Sequence, residues 1–117
     1  QQESIQVPVL GMIENMSYFT PAELPENKYY IFGKKGAEHL AADKKIPFLG
    51  GLPLLQSARE AADVGRPACL QQNSTWSEHF KTIAKNMVSQ VVKRNKNLPP
   101  TKAVAITNMV GCEAIKT

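Results

Sequence analysis

Two short segments carry residue types suited to holding a ligand: Glu14-Asn15-Met16-Ser17 and Leu52-Pro53-Leu54, each following a nearly continuous apolar run. In an open parallel sheet, ligands sit beyond the carboxyl ends of the strands, so both segments stand where a ligand would be met. An Asn side chain presents one acceptor and two donors and can pair with the complementary edge of a purine. An exposed carbonyl near Pro53 can accept from an exocyclic amine. Adenine needs both kinds of partner. The competing role for Asn15 is structural, because Asn is a frequent turn former whose side chain satisfies its own backbone.

Other chemistry is not written in a recognisable pattern. The sequence has no G-x-x-x-x-G-K-[ST] loop to cradle phosphates at a helix N-terminus. Gly33-Lys34-Lys35-Gly36 has the wrong glycine spacing and no following Lys-Ser or Lys-Thr pair. G-x-G-x-x-G, G-x-S-x-G, H-E-x-x-H and C-x-x-C are also missing. His39 and His79 stand singly on predicted helices, which suits surface or core residues better than metal ligands.

The elements that must position these segments follow from an internal echo. Val7-Pro8-Val9-Leu10-Gly11 and Ile46-Pro47-Phe48-Leu49-Gly50 share the pattern apolar-Pro-apolar-Leu-Gly at an offset of 39 residues. Continuous apolar runs are expected of parallel strands covered on both faces, and proline is tolerated where a strand begins. Between them, Lys34 to Lys45 places Ala37, Leu40 and Ala41 at helical spacing. The segment therefore reads as a βαβ unit with a right-handed crossover. The 17 residues from Ser17 to Gly33 form a long loop, and loops of that length in compact domains are often functional. Its aromatics, Tyr18, Phe19, Tyr29, Tyr30 and Phe32, are expected to pack it down.

A further helix is expected after Thr75-Trp76-Ser77-Glu78, which fits a capping box. Trp76, Phe80, Ile83, Ala84, Met87 and Val91 then form one apolar stripe, read as core. Arg94 to Pro100 should end it, leaving Ala103 to Val110 as a late strand or an ordered tail. Two secure strands make a marginal sheet alone, so the chain is expected to be part of a larger α/β sheet or to borrow neighbours from another chain.

Length and composition agree. The 117 residues suit one domain at most, and 43% apolar with 21% charged residues exclude collagen-like and wholly disordered classes. No run approaches the roughly 18 uncharged apolar residues of a membrane span. The start lacks the basic flank and apolar run of a secretory signal, and Cys69 and Cys112 lie far apart, so a reducing cytoplasmic setting is expected. The net charge of +4 is uneven: residues 1 to 80 carry 7 Lys+Arg against 9 Asp+Glu, and residues 81 to 117 carry 7 against 1. Lys81, Lys85, Lys93, Arg94 and Lys96 open a second reading, a non-enzymatic α/β interaction module that binds an acidic partner or nucleic acid through this basic segment. No aromatic follows Phe80, which argues against nucleic acid by base stacking.

Taken in order, Val7 to Phe19, Ile31-Phe32-Gly33, Gly36-Ala37-Glu38, Ile46 to Gly50, Leu52-Pro53-Leu54, Arg59-Glu60, Asp63 and Gly65-Arg66-Pro67 resemble the C-terminal part of the Mrp-type P-loop ATPases. These are relatives of MinD and ParA that carry iron-sulfur clusters. The resemblance implies a doubly wound parallel-sheet P-loop NTPase fold of class α/β. It further implies a cytoplasmic homodimer that binds ATP and delivers a cluster to recipient proteins. On this reading residues 1–96 are the base-binding part of the ATPase domain and 97–117 a Pro-led tail or late strand. Asn15 is similar to the family's adenine-contacting Asn, Pro53-Leu54 to the segment closing over the base, and Arg59 with Glu60 to the start of the helix behind it. The phosphate loop and Mg-binding residues belong to the preceding half of such proteins, so this chain is expected to be a fragment that does not hydrolyse ATP by itself.

Two departures stand out. Many family members place C-x-x-C after the position of Phe19, so that two chains bind a bridging cluster through thiolates. Here the loop reads Thr20-Pro21-Ala22-Glu23, which puts the cluster in doubt and leaves Cys112 as the remaining metal candidate. Leu55-Gln56 replaces the family's common Asp-Pro.

Overall fold

The computed structural model describes residues 7–72 and 74–101. Strand β1 (Met12–Glu14) and strand β2 (Phe48–Gly51) pair in parallel. The order along the chain is β1, α1 (Gly36–Lys44), β2, α2 (Gln56–Asp63), a 3-10 turn at Ala68–Leu70, and α3 (Thr75–Asn97). The expected βαβ unit is present, and the architecture is mixed α/β with parallel strands, as the resemblance implies. Cys112 and the segment from Ala103 to Val110 lie outside the described residues.

The sequence echo does not translate into two equivalent strands. Met12, not Val9, pairs with Phe48, and Val7 and Val9 are exposed. The reason is the exit from α1. Lys45 adopts a left-handed conformation at the helix end, and Ile46 N–H donates to the Ala41 carbonyl at 2.8 Å, a Schellman-type closure. Ile46 is thereby committed to the helix end, so β2 has no upstream residues for Val7 to Gly11 to pair with. The first ladder bond runs from Met12 N–H to the Pro47 carbonyl at 2.9 Å.

The start of α1 is held from the sheet. Its N-cap, Lys35, is left-handed and makes no side-chain cap, and Glu14 at the end of β1 accepts from Ala37 N–H at 3.1 Å. A carboxylate there satisfies a helix N–H that has no partner within the helix and opposes the positive end of the helix dipole. Glu14→Ala should cost about 1 kcal/mol, the usual cost of a lost cap, as a shift in the urea midpoint at unchanged slope. Glu14→Gln, which keeps an acceptor oxygen, should recover most of it.

Helix α3 packs on β2. Ile83 joins Leu49 and Leu52 in the buried core, with Trp76 against it, and Asn86 Nδ2 donates to the Leu49 carbonyl at 2.9 Å. The capping box is not formed. Ser74 takes the N-cap position without a side-chain bond, because the hydroxyl that would start the box at Thr75 already sits inside the first turn. Only part of the predicted stripe is buried: Ile83 is core, whereas Phe80 and Met87 stay exposed. The helix also runs through Arg94, to Asn97.

The long loop is tethered rather than packed down. Phe19 and Tyr29 exchange both backbone hydrogen bonds at 2.8 Å, and Phe19 also bridges Leu54 in parallel. Of the loop aromatics expected to pack it down, Tyr18 and Phe19 are half-buried, whereas Tyr29, Tyr30 and Phe32 are exposed, the last at 71%. Among the described residues no helix is long and apolar enough to cross a membrane.

Candidate functional site

The two candidate segments lie side by side at the carboxyl ends of the strands. Leu52 N–H donates to the Glu14 carbonyl at 2.8 Å, Ser17 N–H to the Leu52 carbonyl at 2.9 Å, and Leu54 N–H to the Tyr18 carbonyl at 2.7 Å. These bonds bracket Asn15 on one strand end and Pro53 on the other. Ser17 makes the junction firm: it is buried, and its Oγ adds a second bond to the Leu52 carbonyl at 3.1 Å.

Asn15 is exposed, and its Oδ1 accepts from Met16 N–H at 2.9 Å. Met16 is left-handed at φ 54°, a conformation that a short-range Asn bond supports. Asn15 therefore does act as a turn former. The same amide keeps a second acceptor lone pair and two N–H donors for another group. The Pro53 side chain is fully buried. The Leu52 carbonyl already accepts twice from Ser17, which leaves the half-buried Leu54 as the more accessible residue of this segment.

Arg59 is not gathered into this site. It lies on the exposed side of α2 and pairs with Asp63 at 3.7 Å, with both side chains more than 60% exposed. A pair in that setting contributes at most about 1 kcal/mol. Glu60 accepts from Gln56 Nε2 at 2.8 Å along the same helix.

A cleft of about 520 Å³ opens beside Pro53. Phe19, Pro53 and Leu55 give it apolar walls, loop residues 20–23 and Pro25 border it, and Thr75 and His79 of α3 form the far side. Asn15, Leu54 and Arg59 are not part of its lining. The Tyr18 hydroxyl lies 3.4 Å from His79 Nε2, Lys28 Nζ sits 4.7 Å from the Tyr18 ring centroid, and Tyr30 meets the same ring edge-on at 6.2 Å. His79 is thus not solitary. The contact joins residues 61 positions apart, so no local pattern announces it.

A donor set for a cluster is not assembled here. The Thr20 to Glu23 loop brings no thiol, and Cys69 is the single described cysteine. Among the described residues no three His, Cys, Asp or Glu side chains come together to hold a metal ion. The basic residues of α3 do not form one face either. At 100° per residue, Lys81, Lys85 and Lys96 fall on one side and Arg94 on another, where Arg94 donates to Thr101 Oγ1 at 2.8 Å.

A family model described as ParA, the NUBPL iron-transfer P-loop NTPase, matches residues 2–88. The chain is 37% identical over 90 residues to the iron-sulfur cluster transfer protein NUBPL of Dictyostelium discoideum, covering 76% of this chain and 28% of that protein. It is 38% identical over 90 residues to an iron-sulfur cluster carrier protein of Synechocystis, covering 76% and 26%. With the mouse iron-sulfur cluster transfer protein NUBPL it shares 39% identity over 95 residues, covering 81% and 28%. The chain therefore spans under a third of the length of these curated relatives.

Proposed function

This chain belongs to the NUBPL iron-transfer P-loop NTPase family, and from that premise we propose that it is the C-terminal portion of an ATP-binding iron-sulfur cluster carrier. Residues 1–96 supply the adenine side of the nucleotide site and part of a homodimer surface, and 97–117 form a tail. The triphosphate and its Mg are held by the preceding half of the same protein. Hydrolysis belongs to the assembled whole, and the cluster passes as cargo to recipient proteins.

One observation carries this reading. The carboxyl ends of β1 and β2 are hydrogen-bonded neighbours in a parallel pair, and on this reading the Asn15 amide and a carbonyl of the Pro53-Leu54 segment, which follow those ends, serve the same base. That is the donor and acceptor combination an adenine edge demands. Guanine inverts part of it, so the arrangement also carries selectivity.

In the full-length gene product, Asn15→Ala should weaken ATP binding by about 1 to 3 kcal/mol, the cost of leaving buried polar partners unpaired, and relax discrimination against GTP. Titration calorimetry reads both. Unchanged affinity and selectivity would leave Asn15 with its turn bond alone. Sequencing the gene upstream of Gln1 tests the rest: a G-x-x-x-x-G-K-[ST] loop is expected there, and an initiator Met directly before Gln1 would remove the ATPase assignment.

A further inference from the structure

The cleft beside Pro53 contains one pair of polar side chains that the strand-end site leaves unused. Tyr18 follows β1 and His79 stands on the second turn of α3; both line the cleft, and their polar atoms are 3.4 Å apart and partly buried. That distance is at the long end for a hydrogen bond, so neither group is saturated. The phenol oxygen can accept or donate once more, and the imidazole has its second ring nitrogen. Lys28 over the Tyr18 ring and Tyr30 against its edge restrict how far that ring can turn. An apolar wall with a few convergent polar groups, at the carboxyl end of parallel strands, is the usual form of a small-molecule site.

We infer that His79, together with Tyr18, is a recognition residue for the nucleotide base, and that the base seat extends from the strand ends into this cleft. The inference rests on the ATP-binding reading above. Phe19 and Leu55 offer apolar surface to a flat ring, and the Tyr18 and His79 pair offers both donor and acceptor to the ring's polar edge. Helix α3 is therefore a wall of the site as well as a core element.

The test uses the full-length protein and 8-azido-ATP, followed by peptide mapping, with ATP affinity measured in parallel. Label is expected within residues 18–28 or 75–81, and His79→Ala should weaken ATP binding roughly tenfold, the order expected for one lost hydrogen bond to a buried partner. His79→Gln, which keeps a donor and an acceptor, should restore most of the affinity, and Tyr18→Phe should fall between, all at unchanged melting temperature. A protein that binds no ATP would overturn the nucleotide reading itself. ATP binding that is unaltered by His79→Ala, or label confined elsewhere, would overturn this inference while leaving that reading in place.

Discussion

Replacing Gly50 by Ala is expected to destabilise the protein by about 2 to 4 kcal/mol, combining a strained backbone with overpacking. Gly50 sits in β2 at φ 141°, a conformation that residues with a side chain rarely adopt, and a Cβ there would stand 2.8 Å from Ile83 Cγ1. Neither group can move away freely. Ile83 is 5% exposed, in the core that fixes α3 to the sheet, and β2 is held on its other side by β1. A fall in the urea midpoint should be accompanied by loss of the interaction between α3 and β2, visible as faster amide exchange at Leu49 and Leu52. Unchanged stability would mean that β2 relaxes at no cost, and the close approach of α3 would then be unnecessary to the fold.

Truncating the partner should have an effect of similar size. Ile83→Ala is expected to cost about 2 to 4 kcal/mol, within the range for large-to-small core substitutions. The small buried core makes the upper part of that range reasonable: Leu49, Leu52 and Ile83 form it, with Trp76 alongside, and little else can collapse into the gap. Because Gly50 and Ile83 touch, their effects should not add. In the Ile83→Ala background the steric part of the Gly50→Ala penalty disappears, leaving the backbone strain. A double-mutant cycle by chemical denaturation measures the difference directly. Strict additivity would contradict the contact.

The effects on function should separate from these effects on stability. Gly50 and Ile83 belong to the packing of α3 on β2, whereas Tyr18 and His79 line the cleft and Asn15 is exposed at the end of β1. Substitutions in the first pair should lower the melting temperature and, on the proposed ATP-binding reading, affect that binding only through the population of folded protein. Substitutions in the second group should change affinity at constant melting temperature. Glu14 belongs with the first set, since its contact is with the start of α1.

The segments that make up the candidate site were legible in residue types and spacing. The apolar runs, the helix between them and the segments Glu14 to Ser17 and Leu52 to Leu54 are local features, and a parallel βαβ unit places the carboxyl ends of its strands together by geometry alone. The family was legible as well, because its motifs are strung along residues 7–67. Other features depend on distant partners. The proline-led echo suggested equal strands, but the Ile46 bond to the end of α1 shortened one of them. Arg59 is a site candidate by its position in a motif, and the structure sets it on the exposed side of α2 beside Asp63.

What the amino-acid order determined by itself was therefore periodic or contiguous: helix stripes, strand runs and turn residues, whose energetics come from neighbours within a few positions. Only the folded arrangement decided which polar groups meet, including Glu14 at the start of α1, Ser17 on the Leu52 carbonyl, and Tyr18 with His79. Each of these contacts joins residues 23 or more positions apart, and an interaction of that kind has no periodic trace in the chain. It exists because the parallel pairing of β1 with β2 and the seating of α3 over Gly50 bring those side chains together.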